Sequence, residues 1–161
     1  MKAAILMGSD SDWPILKPAM EVLKQFGIEA VVEVASAHRT PDKVRNFVKD
    51  AVDGGVGVFI VAAGAAAHLA GVVASYTARP VIGVPINATP LNGMDALLST
   101  VQMPSGVPVA TMAVNGAKNA AILAVEIFAV ADAALQQKLT AYREEMVQGV
   151  EKKAARVAAQ L

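Results

Sequence analysis

The segment Ser36-Ala37-His38-Arg39-Thr40-Pro41 places one of the chain's two histidines beside an arginine. It follows a β-branched run (Val31, Val32, Val34) and precedes a helix start. A free imidazole titrates at about 6.5, so it can give and take a proton near neutrality. An arginine grips a phosphate through two parallel N–H bonds, which a lysine cannot do. A lone loop histidine is ordinarily a solvated group. The adjacent arginine, the strand-end position and the scarcity of histidine turn this one toward function. The combination suits holding an anion and moving a proton beside it, as an enzyme of a small phosphorylated substrate must.

Two further loops carry unusual content. Gly8-Ser9-Asp10-Ser11-Asp12 follows the first apolar run; its glycine permits a tight turn, and hydroxyls and free amides at a helix N-terminus can hold a phosphate. A carboxylate there suits ribose hydroxyls, but Asp12 is also well placed to cap a helix beginning at Trp13-Pro14, and on this loop alone the cap is the better reading. Ala63-Gly64-Ala65-Ala66-Ala67-His68-Leu69 follows the central run. Its small residues let backbone amides approach a ligand closely, and His68 either meets that ligand or caps and packs the next helix. Two histidines without a carboxylate cluster make a poor metal site. No serine stands in a nucleophile elbow, which argues against acyl transfer.

These loops need a scaffold to converge. Apolar runs at Ala3–Met7, Ala30–Val34, Val56–Ala62, Val81–Val84 and Val109–Ala113 read as strands, several of them apolar without alternation, as strands covered on both faces are. Helical spacing recurs between them: Ile15, Leu16, Ala19, Met20, Leu23 and Phe26 with Gly27 as a stop, then Val44, Phe47, Val48 and Ala51 behind Thr40 as N-cap and Pro41 as first helical residue. Five βα units predict an α/β fold, a three-layer sandwich around a parallel, doubly wound sheet, with ligands beyond the carboxyl ends of the strands.

At 161 residues the chain is expected to form one domain, with an α/β core over 1–131 and a helical extension over 132–161. Fourteen basic and fourteen acidic residues cancel, so no bulk field draws it to nucleic acid or an anionic membrane. Absence of cysteine excludes disulfides and thiolate catalysis. It suits a reducing cytoplasm, as does a start that enters a strand without a signal-peptide layout. Gly54 to Ala78 is uncharged, but its glycines and His68 suit strand, loop and helix better than a membrane span. The chain is 55% hydrophobic and 17% charged, with a mean hydropathy of +0.47. That balance predicts surface buried between subunits. The stretch Ala117 to Ala131 is apolar nearly all round. The tail carries a stripe of Leu135, Leu139, Tyr142, Met146, Val150, Ala154, Val157 and Leu161, and its far end is expected to pack on a neighbouring subunit.

At the three loops the chain resembles the class I N5-carboxyaminoimidazole ribonucleotide mutase family of purine biosynthesis. The likeness rests on Gly8 through Trp13, Ser36 through Pro41, Ala66 through Leu69, Gly83-Val84-Pro85, Ser99 through Pro104 and Gly106 through Val109, in order. It implies a flavodoxin-like sandwich, a homo-octamer, no cofactor and no metal. It further implies movement of a carboxylate from the exocyclic nitrogen of an aminoimidazole ribonucleotide to ring carbon C4. Carried onto this sequence, His38 is the catalytic acid–base, Arg39 and the first-loop serines Ser9 and Ser11 serve phosphate, and Asp12 serves ribose. Gly8, Ser36, Ala37, Gly64, Ala65, Ala66, His68 and Leu69 complete the expected substrate-binding set. The chain departs from the family pattern at Ala65, usually glycine, at Ala70, usually proline, and in a shorter Gly116-Ala117-Lys118-Asn119 loop. These departures touch the backbone around the carbon dioxide pocket and leave the acid–base intact.

Two other readings compete. A class II carboxylase of the same fold would add free carbon dioxide to the unmodified ribonucleotide. A non-enzymatic flavodoxin-like module would bind a nucleotide unchanged. A phosphoacceptor receiver is disfavoured, since Ala62-Ala63-Gly64 stands where its aspartate would be.

Overall fold

A computed structural model describes residues 1–160, and the tail residue Leu161 of the predicted stripe lies outside the described residues. The chain divides into two compact units, Met1–Val125 and Glu126–Leu161. In the first, β1 (Lys2–Met7), β2 (Glu29–Val34), β3 (Val58–Gly64), β4 (Val81–Ile86) and β5 (Ala110–Thr111) form one sheet in the order β2-β1-β3-β4-β5. Every pairing is parallel. The connections are α1 (Trp13–Phe26), α2 (Pro41–Asp53), α3 (Leu69–Tyr76) and α4 (Met94–Val101), followed after β5 by α5 (Ala117–Ala129). The predicted α/β sandwich is the observed fold.

Burial explains the uniform apolarity of the inner strands. Ala3 to Leu6 in β1 and Val58 to Ile60 in β3 have no measurable exposure, and Val81 to Ile86 are all buried. The edge strand β2 instead mixes partly buried and exposed positions, with none fully buried. One core cluster joins Leu6, Phe59 and Val61 of the sheet to Val44 and Val48 of α2 and Val73 of α3. Each such side chain contributes about 1.5–3 kcal/mol by leaving water. In α1 the buried face is Leu16, Ala19, Val22, Leu23 and Phe26, while Met20 stays exposed. Gly27 ends α1 as its sequence position predicts: at φ 77° its N–H reaches the carbonyls of Leu23 and Lys24.

Strand boundaries differ from the sequence reading where a backbone group has another task. β3 starts two residues later than expected because the Val56 N–H donates to Ala51 O, at 2.9 Å, in closing α2. β4 runs on to Ile86 because it pairs with β3 through Gly64. β5, expected over Val109–Ala113, is reduced to two residues, Ala110–Thr111, at the sheet edge.

The second unit centres on α6 (Ala133–Ala158), capped by the Asp132 carboxylate, which accepts from the Leu135 N–H at 2.9 Å. Arg143 pairs with Glu126 at 2.6 Å. Leu135 and Leu139 are buried, whereas Met146, Val147, Val150 and Val157 are each more than half exposed. No helix among the described residues is long and apolar enough to cross a membrane.

Candidate active site

Register brings the three chemical loops level. Met7 pairs with Val34 on one side and with Ala62 on the other, so β1 and β2 end together and β3 runs only two residues further, to Gly64. The ladder closes with Ala35 N–H to Met7 O at 2.9 Å and Gly8 N–H to Ala62 O at 3.1 Å. β2 and β3 lie on opposite sides of β1, so the chain reverses its direction of travel here, and a crevice must open between the departing loops. It is a cleft of about 450 Å³. The structure brings Gly8, Ser9, Ser11, Asp12, Ser36, Ala37, His38, Arg39, Gly64, Ala65, Ala66 and Leu69 together on its wall. His68 is the expected residue that does not line it.

His68 instead reaches the cleft through His38. Its Nδ1 lies 2.9 Å from His38 Nε2, with the rings nearly perpendicular at 85°. One of these nitrogens donates and the other accepts, which way round depending on the tautomers, so the bond ties the orientation of the His38 ring to that of His68. His68 occupies the N-cap position of α3, but its side chain makes no capping bond. Of the two tasks open to it in the sequence, it neither caps nor lies on the cleft wall.

Arg39 is held by its own loop. Its backbone N–H donates to Ser36 Oγ at 3.3 Å, and its Nη2 contacts Gly8 O at 3.4 Å, bridging the first and second loops. Thr40, predicted to cap α2, does not do so with its side chain. Its Oγ1 accepts from Ser36 N–H at 2.9 Å and donates to Ser36 O at 3.1 Å. Those two bonds close the five-residue loop that presents His38 and Arg39.

Asp12 also differs from expectation. A short 3-10 turn, Asp10–Asp12, precedes α1, and Asp12 makes no side-chain cap. Its backbone is already helical, at φ −82° and ψ −16°, so its carboxylate cannot fold back on the first turn as a cap does. The side chain is instead buried at the cleft, the residue being only 5% exposed. Burial pushes its carboxyl above the usual range, and the neighbouring charge of Asp10 adds to this. The Ser9 amide and the Ser11 hydroxyl act in the opposite direction. Ser11 Oγ lies 2.9 Å from Ser9 Oγ and 3.4 Å from Asp12 Oδ1, which gathers three polar groups at one corner of the cleft.

Ala63, the first residue of the third loop, and Ala88, which the sequence reading did not single out, complete the wall. Ala88 follows β4, and a small residue just past a parallel strand is its only advance signal. Its proximity is tight: a Cβ built on Gly64 would stand 2.6 Å from Ala88 Cβ. Glycine is required there for the backbone of β3 to pass under the loop after β4.

The arrangement offers a cation for an anionic group, hydroxyls and a buried carboxylate for polar ligand edges, and a held imidazole for proton transfer. N5-carboxyaminoimidazole ribonucleotide mutase of Thermotoga maritima is 50% identical over 156 residues, covering 97% of this chain and 91% of that protein. The mutase of the same name from Methanocaldococcus jannaschii is 55% identical over 142 residues, 88% of each. The crystal structure of Treponema denticola PurE superposes with a TM-score of 0.82 at 29% identity, covering 96% of this chain and 97% of that one. The sequence pattern of the AIR carboxylase family matches residues 2–149, and the chain belongs to that family.

Proposed function

We propose that this chain is an isomerase of purine biosynthesis that converts N5-carboxyaminoimidazole ribonucleotide to 4-carboxyaminoimidazole ribonucleotide, with His38 as the proton carrier. The observation that carries the reading is an imidazole at the cleft, held by His68 and flanked by Arg39. Relatives about half identical over nearly the whole chain bear the mutase name.

Arg39 takes the phosphate, with Ser9 and Ser11 beside it. The buried Asp12 carboxylate accepts from the ribose hydroxyls, and Gly8, Ser36 and Ala37 shape the wall against the sugar. His38 gives a proton to the exocyclic nitrogen. The bond from that nitrogen to the carboxylate carbon breaks, its electron pair stays on nitrogen, and carbon dioxide is released. The loop of Gly64, Ala65 and Ala66, backed by Leu69, confines the gas beside the ring. Ring carbon C4 then attacks it, forming the new carbon–carbon bond. His38, now lacking that proton, removes the hydrogen from C4 and returns to its starting state. Atoms and charge balance without a metal, a cofactor or an external base. Proton transfer by a positioned side chain contributes about 10²–10⁴-fold, and trapping the intermediate contributes further.

The remaining elements fit an assembly. The exposed apolar residues of α6 support a homo-octamer in which residues 132–161 extend from the 1–131 core onto a neighbouring subunit. A cytoplasmic location suits the pathway and the cysteine-free sequence. The discriminating experiment supplies the enzyme either with the N5-carboxylated ribonucleotide or with aminoimidazole ribonucleotide and bicarbonate, following product by NMR. Turnover of the carboxylated substrate supports the mutase. Efficient turnover only with bicarbonate transfers the assignment to a class II carboxylase, and recovery of unchanged nucleotide in both cases identifies a binding module. Native mass determination tests the octamer.

A further inference from the structure

We propose that Ala65 is a positioning residue whose left-handed backbone carries His68 onto His38. Ala65 has φ +53°, a conformation in which its Cβ crowds the following carbonyl and which alanine adopts only when its surroundings impose it. The surroundings here are explicit. On one side Gly64 is wedged under the loop after β4, with no space for even a Cβ beside Ala88 and Ile86. On the other side Ala67 is 1% exposed, and its carbonyl lies 3.5 Å from Thr100 Oγ1. Only Ala65 and Ala66 span the two anchors. The chain turns within them by two tight bonds, Ala67 N–H to Ala65 O and His68 N–H to Ala66 O, each 2.8 Å. α3 starts immediately afterwards, with Val72 N–H on His68 O at 3.0 Å. The left-handed step therefore sets where His68 leaves the loop, and His68 Nδ1 ends 2.9 Å from His38 Nε2. A right-handed or extended Ala65 would turn the following peptide and move that imidazole away. The proposal rests on His38 as the proton carrier, because only then does the orientation of its ring reach turnover.

The test separates backbone demand from bulk. Asn tolerates the left-handed region, whereas Val, of comparable size, is β-branched and resists it. The histidine ring signals of the unliganded protein, read by ¹⁵N NMR, report the shared hydrogen between His38 and His68 without any assay. Ala65→Gly and Ala65→Asn are expected to keep that signature, and Ala65→Val to lose it. The kcat of Ala65→Val should lie at least about tenfold below that of Ala65→Asn, with KM values within about threefold of each other. In a His68→Ala background the difference between Val and Asn at position 65 should vanish. Ala65→Thr, β-branched but polar, makes the same backbone demand and should follow Val, which keeps the test open if the Val variant folds poorly. Retention of the histidine signature in both β-branched variants overturns the proposal. So does equal loss in Val and Asn, or a tenfold gap that survives removal of His68. If the signature follows the expected order but no form of the enzyme transfers carboxylate, the positioning role stands and the proposed reaction falls.

Discussion

Arg39→Ala isolates the anion-holding half of the site. In the structure its guanidinium makes one long contact, Nη2 to Gly8 O at 3.4 Å, and it forms no ion pair among the described residues. Its remaining N–H groups are thus available to two phosphate oxygens. Each hydrogen bond to a charged group contributes about 1.5–3 kcal/mol. After allowance for water replacing the fork, loss of the pair should cost about 2–4 kcal/mol, or about 30- to 1000-fold in KM. The phosphate does not change charge during the reaction, so its binding is uniform along the pathway and kcat should change little. Arg39→Lys restores the charge without the parallel geometry and should recover only part of the affinity. The thermal midpoint should hardly move, since an exposed side chain with one weak contact contributes little to the fold. The assay is steady-state kinetics on the carboxylated ribonucleotide, with calorimetry on the free enzyme. A KM within threefold of the parent would refute the phosphate contact. A loss confined to kcat would place Arg39 at the reacting end instead.

Asp12→Asn should stabilise the free protein at neutral pH while weakening substrate binding about tenfold, as a carboxylate partner of ribose hydroxyls is lost. The sign follows from burial. With its folded pKa raised, ionised Asp12 costs stability at high pH, and that cost disappears as pH falls through the raised value toward the ordinary 3.8. Melting curves of both forms from neutral to acid pH should therefore converge, and an Asn variant less stable at neutral pH would contradict the burial argument. Gly64→Ala should destabilise by about 1–3 kcal/mol, because the added Cβ would stand 2.6 Å from Ala88 Cβ. Differential scanning calorimetry reads this as a fall of about 2–4 °C for each kcal/mol, and an unchanged midpoint would show that the loop after β4 yields freely.

How far the sequence could be read depended on whether a feature was local. The inner strands announced themselves by unbroken apolar runs, and Gly27 and Pro41 marked helix ends through backbone demands that each residue carries with it. The cleft wall was legible because strand ends in a parallel sheet are where loops gather, and the Ser36–Pro41 segment had the chemistry to be noticed. The features that escaped were settled by distant partners. His38 and His68 stand 30 residues apart, and only the parallel register of β2, β1 and β3 places their loops side by side. Asp12 and Thr40 occupy the N-cap positions expected of them, yet their side chains serve other neighbours, a polar corner and a loop closure. Val56 has the composition of a strand residue but gives its N–H to the end of α2. Ala88 carries no chemistry and matters only because Gly64 passes beneath it.

The central claim, that one imidazole both delivers and recovers the migrating proton, is tested most directly by carboxylate transfer in His38→Asn. Asparagine keeps a polar side chain in the loop but cannot exchange a proton. Turnover should fall by about 10²–10⁴-fold, with nucleotide affinity within a few-fold of the parent. Near-parental turnover in that variant would contradict the account.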